Sequence, residues 1–268
     1  MGATRGRQVA GSADLGEILA QQKRKQQQQQ RSGGGGLKPF YIALAVIAVA
    51  GIGWIAYSAM GGGGAVTAPI DLGELEAAEL TAQAQPVVHG EVDAPVQVTV
   101  FSDFTCPGCQ AFTTNIEPRL RTQHIESGNV RFVYFDFPLG GADHPHGFVA
   151  ARAARCAGDQ DRFWEYHDRL FARQSQWSFV RGAPIDEMIQ YAGELGLDVG
   201  AFEDCLESDR YAEVVSANRL LGERLGVGAT PTVFIGTNPI SQWNDWNAVE
   251  AAILRGLPAR NLATDTAR

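Results

Sequence analysis

Residues Phe40 to Met60, FYIALAVIAVAGIGWIAYSAM, form an apolar run of 21 positions without a charged side chain. As a helix this run would rise about 32 Å, close to the ~30 Å hydrocarbon core of a bilayer. We therefore predict a transmembrane helix over residues 39–60. A buried globular helix of this length would rarely lack a charged face. A cleaved signal peptide has a shorter apolar stretch of about 7 to 15 residues and a shorter leader than residues 1–38.

After Pro86 the pattern changes to short runs rich in β-branched and aromatic residues. Val96 to Phe101 (VQVTVF) and Val130 to Phe137 (VRFVYFDF) have the composition of buried strands. Between them, Cys106-Pro107-Gly108-Cys109 is followed by QAFTTNIEPRLRTQHIE, which predicts one helix. The order predicts a β-α-β unit with a C-x-x-C motif at the start of its helix.

The next part of the chain, from Phe148 to about Leu225, is rich in Ala and predicts a block of helices. Residues Thr230 to Gly236 (TPTVFIG) then predict a short strand led by a proline. The segment PISQWNDWNAVEAAILRGL predicts a hairpin strand and a last helix. The predicted fold class is therefore α/β, with one transmembrane helix before the folded domain.

Charge divides the chain at the apolar run. Residues 1–38 carry seven basic and two acidic side chains, a net charge of +5, whereas the remainder carries fifteen Arg and 28 acidic side chains, a net charge of −13. The positive-inside rule places the basic end in the cytoplasm and the rest outside. The acidic balance argues against a nucleic-acid partner. We predict a disordered basic cytoplasmic tail, an anchor, a linker or stalk and a folded domain, at residues 1–38, 39–60, 61–85 and 86–268.

Cys106 and Cys109 are spaced so that their sulfurs meet on the first turn of a helix. The helix N-terminus favours an anion, which lowers the pKa of Cys106 and makes it the attacking thiolate; Cys109 would be the resolving thiol. Pro107 suits the first helical position. An inert disulfide across three residues would close almost no loop and add little stability. These features predict a redox-active pair.

Metal binding is the alternative chemistry for these residue types. A zinc site would need a second ligand pair, but Cys156 and Cys205 are singletons. Copper delivery would call for Met or His ligands near the pair, and Met188 is the only methionine of the exported part. The sequence Asp143-His144-Pro145-His146 gives poor shared ligand geometry and is better explained as a helix-entry loop near the active face, while His167 fits a packing role. We predict neither a metal nor a cofactor.

Thr230-Pro231 stands at the start of the strand that follows the helical block. In a domain with this β-α-β opening, the proline predicts a cis peptide bond. That bond would bring the Thr230 backbone beside the reactive sulfurs, where it could pair with a substrate strand. A trans proline that begins an edge strand is the alternative, and the sequence leaves both open.

Four motifs in order, VTVFSDFTCPGC, GADHPHGFVAARAARCA, DRFWEYHDRLF and LGVGATPTVFIG, resemble the DsbA-like branch of the thioredoxin superfamily. The resemblance is specifically to membrane-anchored extracytoplasmic thiol-disulfide oxidoreductases and covers about residues 86–258. It implies a thioredoxin fold with an all-helical insertion at about residues 144–225. It also implies Cys106 as nucleophile, Cys109 as resolving cysteine and Thr230-Pro231 as a cis-proline loop.

Two positions depart from the family pattern. The buried acid that thioredoxins and some DsbA proteins carry six residues before the first cysteine is Val100 here, which leaves Asp103 as the candidate for the local carboxylate. The dipeptide between the cysteines is Pro107-Gly108 rather than the Pro-His of the best-known oxidases. The absence of a histidine between the two cysteines removes one possible stabiliser of the Cys106 thiolate.

Cys156 and Cys205 lie 49 residues apart in the helical block. Because the predicted topology puts them in an oxidising compartment, we expect a structural disulfide worth about 4 kcal/mol. The resemblance supports this pairing, since some family members tie the insertion in this way. Two buried apolar thiols are the alternative.

The resemblance implies an enzyme that introduces disulfides into cysteine-containing secreted or envelope proteins. A quinone-linked membrane partner of the DsbB or VKOR type would reoxidise it. The expected location is the bacterial cell membrane, with a single pass, a cytoplasmic N-terminus and an extracytoplasmic catalytic domain. A membrane-tethered reductase or isomerase, or a chaperone-like peptide-binding module, remains open as an alternative.

Overall fold

The computed structural model describes residues 20–27, 41–44, 46–48 and 66–258. The chain divides into two units, Met1–Gly62 and Gly63–Arg268. The described residues of the first unit are helical and exposed. Within the part of the chain that is described, no helix is long and apolar enough to cross a membrane. Most of the predicted anchor at 39–60 and of the basic tail before it lies outside the described residues.

The second unit contains one mixed sheet with strand order β1-β3-β2-β4-β5. Its strands are β1 (Val87–His89), β2 (Val96–Ser102), β3 (Val130–Asp136), β4 (Thr232–Ile235) and β5 (Asn238–Pro239). The central strand β2 is parallel to its neighbour β3, and the other neighbouring pairs are antiparallel. The parallel register runs from Val96 opposite Val130 to Ser102 opposite Asp136.

Helices cover the sheet and fill the segment between β3 and β4. They are α1 (Ala77–Ala84), α2 (Pro107–Asn115), α3 (Glu117–Leu120), α4 (Gly147–Gly158), α5 (Phe163–Ala172), α6 (Gln174–Trp177), α7 (Ile185–Glu194), α8 (Val199–Glu207), α9 (Ala212–Arg224) and α10 (Trp246–Gly256). The predicted helical block corresponds to α4 through α9. The β2-α2-β3 unit with this helical block confirms the predicted thioredoxin-like α/β fold.

The two faces of the sheet bury different side chains, because residues alternate in direction along a strand. Val98 and Val100 of β2 belong to the main core, which also contains Cys109 of α2. Phe101 faces the other way and stacks on Phe135 of β3, with ring centroids 4.8 Å apart. The second cysteine of the motif is therefore part of the core rather than of the surface.

The helix predicted after the C-x-x-C motif is not continuous, and this corrects the prediction. It ends at Asn115, and a short α3 begins at Glu117, followed by a π-helical turn over Arg121–Ile125. Pro118 explains the break, because proline has no backbone N–H and its ring collides with the carbonyl four residues earlier. The break limits α2 to the nine residues that carry the motif.

Part of the predicted linker packs on the folded unit. Residues Ala77–Ala84 form α1, and Leu80 and Ala84 are completely buried in a cluster with Ala217 of α9. The Arg224 guanidinium also donates to the Leu75 carbonyl oxygen at 2.8 Å. The described end of residues 61–85 is therefore fixed to α9 rather than extended away from it.

Candidate active site

The C-x-x-C motif lies where β2 ends and α2 begins. Cys106 occupies the N-cap position with an extended backbone, and Pro107 takes the first helical position. Both cysteines are free thiols. Cys106 is 7% exposed and Cys109 is fully buried, so an approaching reactant meets the Cys106 sulfur first.

The pKa values of the two thiols are shifted in opposite directions. The pKa of Cys106 is lowered to about 5, and the largest cause is the hydrogen bond from Cys109. Burial opposes this shift. The Thr230 side chain and the backbone N–H groups of Cys109 and Gly108 lower the pKa further. Burial, followed by the Cys106 sulfur, raises the pKa of Cys109 well above the ordinary value of a thiol. At neutral pH Cys106 is a thiolate and Cys109 carries the proton.

The loop before β4 closes over the Cys106 sulfur. The Thr230–Pro231 peptide bond is cis, and the Cys106 thiol lies 3.3 Å from the Thr230 carbonyl oxygen. Gly108 lies beneath this loop, because a Cβ added there would be 3.1 Å from Pro231 Cδ. The structure thus brings together Cys106, Gly108, Thr230 and Pro231, as the sequence predicts.

Asp103 organises the turn that precedes the motif. Its side chain is completely buried, and Oδ1 accepts from both the backbone N–H and the hydroxyl of Thr105, each at 2.7 Å. Oδ2 accepts from the Leu139 N–H at 2.8 Å. The Asp103 backbone N–H donates to the Cys109 sulfur at 3.4 Å, and its carbonyl accepts from the Cys106 N–H at 3.0 Å. The carboxylate expected near the motif is therefore present, although it contacts Thr105 and Leu139 rather than a sulfur.

One residue of the site, Gln174, was not predicted from the sequence, and His144 was predicted only as part of a helix-entry loop near the active face. Gln174 of α6 is buried, and its side-chain amide donates to the carbonyl oxygens of Phe104 at 2.8 Å and Cys106 at 3.0 Å. His144, which the sequence placed in a helix-entry loop, lies with Nδ1 2.9 Å from the Thr105 hydroxyl oxygen. Gln174 gives no signal in the sequence, since a single amide 68 residues from its partner has no recognisable spacing.

A polar layer lies behind Cys109. Ser102 acts to lower the pKa of the Cys109 thiol, against the larger effect of burial. On the same face of the sheet, the pKa of the Tyr134 phenol is raised by burial. The buried Asp136 carboxylate is held by Arg155, whose Nε lies 2.7 Å from Oδ2. This layer keeps polar groups next to an otherwise apolar core.

The Cys156 and Cys205 sulfurs are joined by a disulfide with a Cα–Cα distance of 5.8 Å. The bond links α4 to α8 inside the helical block, and both residues are buried. These two cysteines do not belong to the reactive pair.

Among the described residues, ligand atoms of Glu117, His167 and Asp168 come within 4.8 Å of one another, a grouping that could hold a metal ion. However, the Arg121 guanidinium lies 3.3 Å from Glu117 and 3.1 Å from Asp168. This one cation is already paired with both carboxylates. His167 is also packed by aromatic rings, including Phe171 at a centroid distance of 4.9 Å. The cluster is explained as a structural ion-pair network.

Comparison with known proteins agrees with this geometry. The family model described as Thioredoxin matches residues 82–255. The probable disulfide bond formation protein D of Bacillus anthracis is 31% identical over 61% of this chain and 75% of its own length. The Na(+)/H(+) antiporter NhaA 1 of Salinispora arenicola is 39% identical over 55% of this chain, but this region is only 21% of the antiporter.

Solved structures show the same fold. Oxidised BdbD from Bacillus subtilis superimposes with a TM-score of 0.57 at 24% identity, over 72% of this chain and 98% of BdbD. Fold and paired thiols together define a redox protein that exchanges thiols and disulfides. The chain belongs to the thioredoxin family and is a DsbA-like thiol-disulfide oxidoreductase.

Proposed function

We propose that this enzyme is a dithiol oxidase that introduces disulfides into cysteine-containing proteins outside the cytoplasm, through the Cys106–Cys109 pair. The observation that carries the proposal is the opposite shift of the two thiol pKa values, with Cys106 lowered to about 5 and Cys109 raised. Cys106 is the sulfur that a substrate attacks, and Cys109 is the sulfur that leaves and takes up a proton.

In the disulfide form, a substrate thiolate attacks the Cys106 sulfur. A bond forms between the substrate and Cys106, and the Cys106–Cys109 bond breaks, with its electron pair going to Cys109. A second substrate thiolate then attacks the first substrate sulfur, and Cys106 departs as a thiolate. The substrate is oxidised to a disulfide, and the enzyme is left as the dithiol. The low pKa of Cys106 favours the last step, because more acidic thiols leave faster.

The direction of electron flow follows from the same pKa. A stable Cys106 thiolate stabilises the reduced form and therefore makes the disulfide form a stronger oxidant. Equilibration with glutathione buffers, with the disulfide fraction read by alkylation and gel shift, tests this. We expect a potential nearer to ~−120 mV, as in DsbA, than to ~−270 mV, as in thioredoxin. A potential at the thioredoxin end would instead indicate a reductase.

The residues around the pair have supporting roles in this proposal. The Thr230 backbone before Pro231 docks an extended substrate segment beside Cys106, since its carbonyl already lies 3.3 Å from the sulfur. Pro107 starts the helix, and Gly108 leaves space for Pro231. Asp103 holds the turn that carries the motif.

The proposed location is the outer face of a bacterial cell membrane, with residues 39–60 as a single-pass anchor. The uncharged run and the basic segment before it support this topology. The Cys156–Cys205 disulfide supports an oxidising compartment. Alkylation of Cys106 by a membrane-impermeant maleimide in intact cells, after a thiol reductant has opened the Cys106–Cys109 disulfide, tests the topology, and protection until lysis would contradict it.

The proposed partners are thiol-containing secreted or envelope proteins and a quinone-linked membrane protein of the DsbB or VKOR type that reoxidises the dithiol. A Cys109→Ala variant traps the mixed disulfide on Cys106, because the resolving thiol is absent. Mass spectrometry of the trapped species identifies both kinds of partner. Recovery of no mixed disulfide, with Cys106 reactive, would contradict an exchange role and favour peptide binding alone.

A further inference from the structure

A chain of hydrogen bonds leads from the turn before the motif to a histidine at its rim. Asp103 Oδ1 accepts from the Thr105 hydroxyl at 2.7 Å, and the Thr105 oxygen lies 2.9 Å from His144 Nδ1. Asp103 Oδ2 is 3.5 Å from the same nitrogen. One imidazole nitrogen is thus held from the enzyme side by a hydroxyl and a carboxylate.

Counting protons fixes the tautomer of the ring. The Thr105 hydroxyl has one proton, and it is donated to Asp103. The Thr105 oxygen must therefore accept from His144, so that Nδ1 carries the proton and donates. In the neutral ring the lone pair is then on Nε2. The His144 side chain is 19% exposed. Nε2 is not buried without a hydrogen-bond partner, so its lone pair faces solvent.

His144 is held by the residues of the reactive turn through its other nitrogen. Thr105, which holds His144, directly precedes Cys106, and the Asp103 backbone contacts both cysteines. Pro107 and Gly108 bring no titratable side chain into the motif. His146, two residues further on, is used differently: its Nε2 lies 2.9 Å from the Val180 carbonyl oxygen.

The geometry points to His144 as a general base for the substrate, with Thr105 and Asp103 as the residues that position it. This inference rests on the proposed oxidase function. His144 Nε2 takes the proton from an incoming substrate thiol, and the thiolate so formed attacks Cys106. The Cys106–Cys109 bond breaks as the new bond to the substrate sulfur forms. Cys109 leaves with the electron pair and takes a proton from solvent, and His144 returns the substrate's proton to solvent. The substrate class is protein thiols that are still protonated when they arrive.

The test compares substrates that need a base with substrates that do not. The oxidised full-length chain in detergent is mixed at about pH 7 with a cysteine peptide, whose thiol pKa is about 8.5, or with an aromatic thiol already ionised at that pH. Formation of the mixed disulfide is followed in a single turnover. His144→Asn keeps a donor near the position of Nδ1 and removes Nε2, and His146→Gln, which keeps a donor toward Val180, is the matched control.

We expect His144→Asn to slow the reaction of the cysteine peptide roughly 30-fold, because only about 3% of a thiol with a pKa of about 8.5 is ionised at pH 7 without a base. The aromatic thiol should be unchanged, and His146→Gln should be normal toward both. Raising the pH above the thiol pKa should restore the peptide rate. Equal loss with both thiols, or no loss with either, would overturn the role of His144. Thr105→Val, which removes only the positioning hydroxyl, should show the same substrate dependence to a smaller extent.

The proposed function fails by a different result. If Cys106→Ala still oxidised the peptide, the reactive pair itself would be wrong, whatever His144 does. If Cys106→Ala is inactive and His144→Asn is normal, only the general-base assignment is wrong.

Discussion

The thiol of Cys106 lies 3.3 Å from the carbonyl oxygen of Thr230, although 124 residues separate them in the chain. The contact joins the start of α2 to the loop before β4. It places a polar backbone group of this loop against the reactive sulfur at the start of α2. The chemistry of the pair therefore depends on how β2 and β4 are held side by side in the sheet.

The Cys106 pKa should rise when Cys109 is removed. The hydrogen bond from Cys109 is the largest cause of its low value of about 5, so Cys109→Ala should move the titration midpoint up toward the ordinary value of 9.0. The ultraviolet absorbance of the thiolate against pH measures it, with the double variant Cys106→Ala, Cys109→Ala as the blank. An unchanged midpoint would assign the low pKa to the helix N-terminus and Thr230 instead.

The stability of the reduced form should depend on pH through Cys106. Its pKa is about 5 in the fold against an ordinary 9.0, so its stabilising contribution is complete above about pH 9 and is lost as the pH falls through about 5. The difference in free energy of unfolding between reduced wild type and Cys106→Ser should therefore grow from about pH 5 to 9. Denaturant titrations under reducing conditions measure this, and a constant difference would count against a folded-state thiolate.

Gly147→Ala should perturb the Asp103 turn. A Cβ at Gly147 would lie 2.5 Å from Asp103 Oδ1, a contact that requires the buried carboxylate to move. We expect a loss of about 1 to 3 kcal/mol in the free energy of unfolding. Gly158→Ala at the other end of α4 is the control, because its Cβ would meet Phe163 at an ordinary 3.5 Å. Equal stability of the two variants in urea unfolding would refute the steric argument.

Gln174→Leu should destabilise the turn from the side of the helical block. The substitution removes the donor to the Phe104 carbonyl at 2.8 Å and leaves that oxygen buried without this partner. The cost is about 1 to 3 kcal/mol. Gln176→Leu, on the exposed side of the same short helix, should cost much less. Guanidinium unfolding of the two reduced variants measures both losses of stability and compares them.

The Cys156–Cys205 disulfide should contribute stability but not chemistry. It closes a loop with a sequence separation of 49, so Cys156→Ala with Cys205→Ala should lower the free energy of unfolding by about 4 kcal/mol. Calorimetry or denaturant unfolding of the oxidised protein measures the loss. The rate of Cys106 alkylation should stay the same, because the two pairs do not share atoms; a changed rate would show that the helical block acts on the site.

Local patterns were enough for the elements that frame the site. The apolar runs beginning at Val96 and Val130 predict β2 and β3 to within a residue, since burial of both strands requires continuous β-branched and aromatic side chains. The C-x-x-C motif marks the start of α2 because its proline and paired thiols suit a helix N-terminus. The break at Pro118 depends on a single residue, since a proline interrupts a helix whose other positions all favour it.

What the sequence determined by itself was the β-α-β order, the helical block, the reactive pair and the position of Pro231, all of which depend on residue types close together in the chain. Only the tertiary structure decided which distant groups meet that pair: the Thr230 carbonyl on Cys106, Gln174 on the turn, and His144 on Thr105. The physical reason is that a hydrogen bond between distant residues depends on packing and strand order. Neither packing nor strand order produces a recognisable spacing of residues in a single sequence.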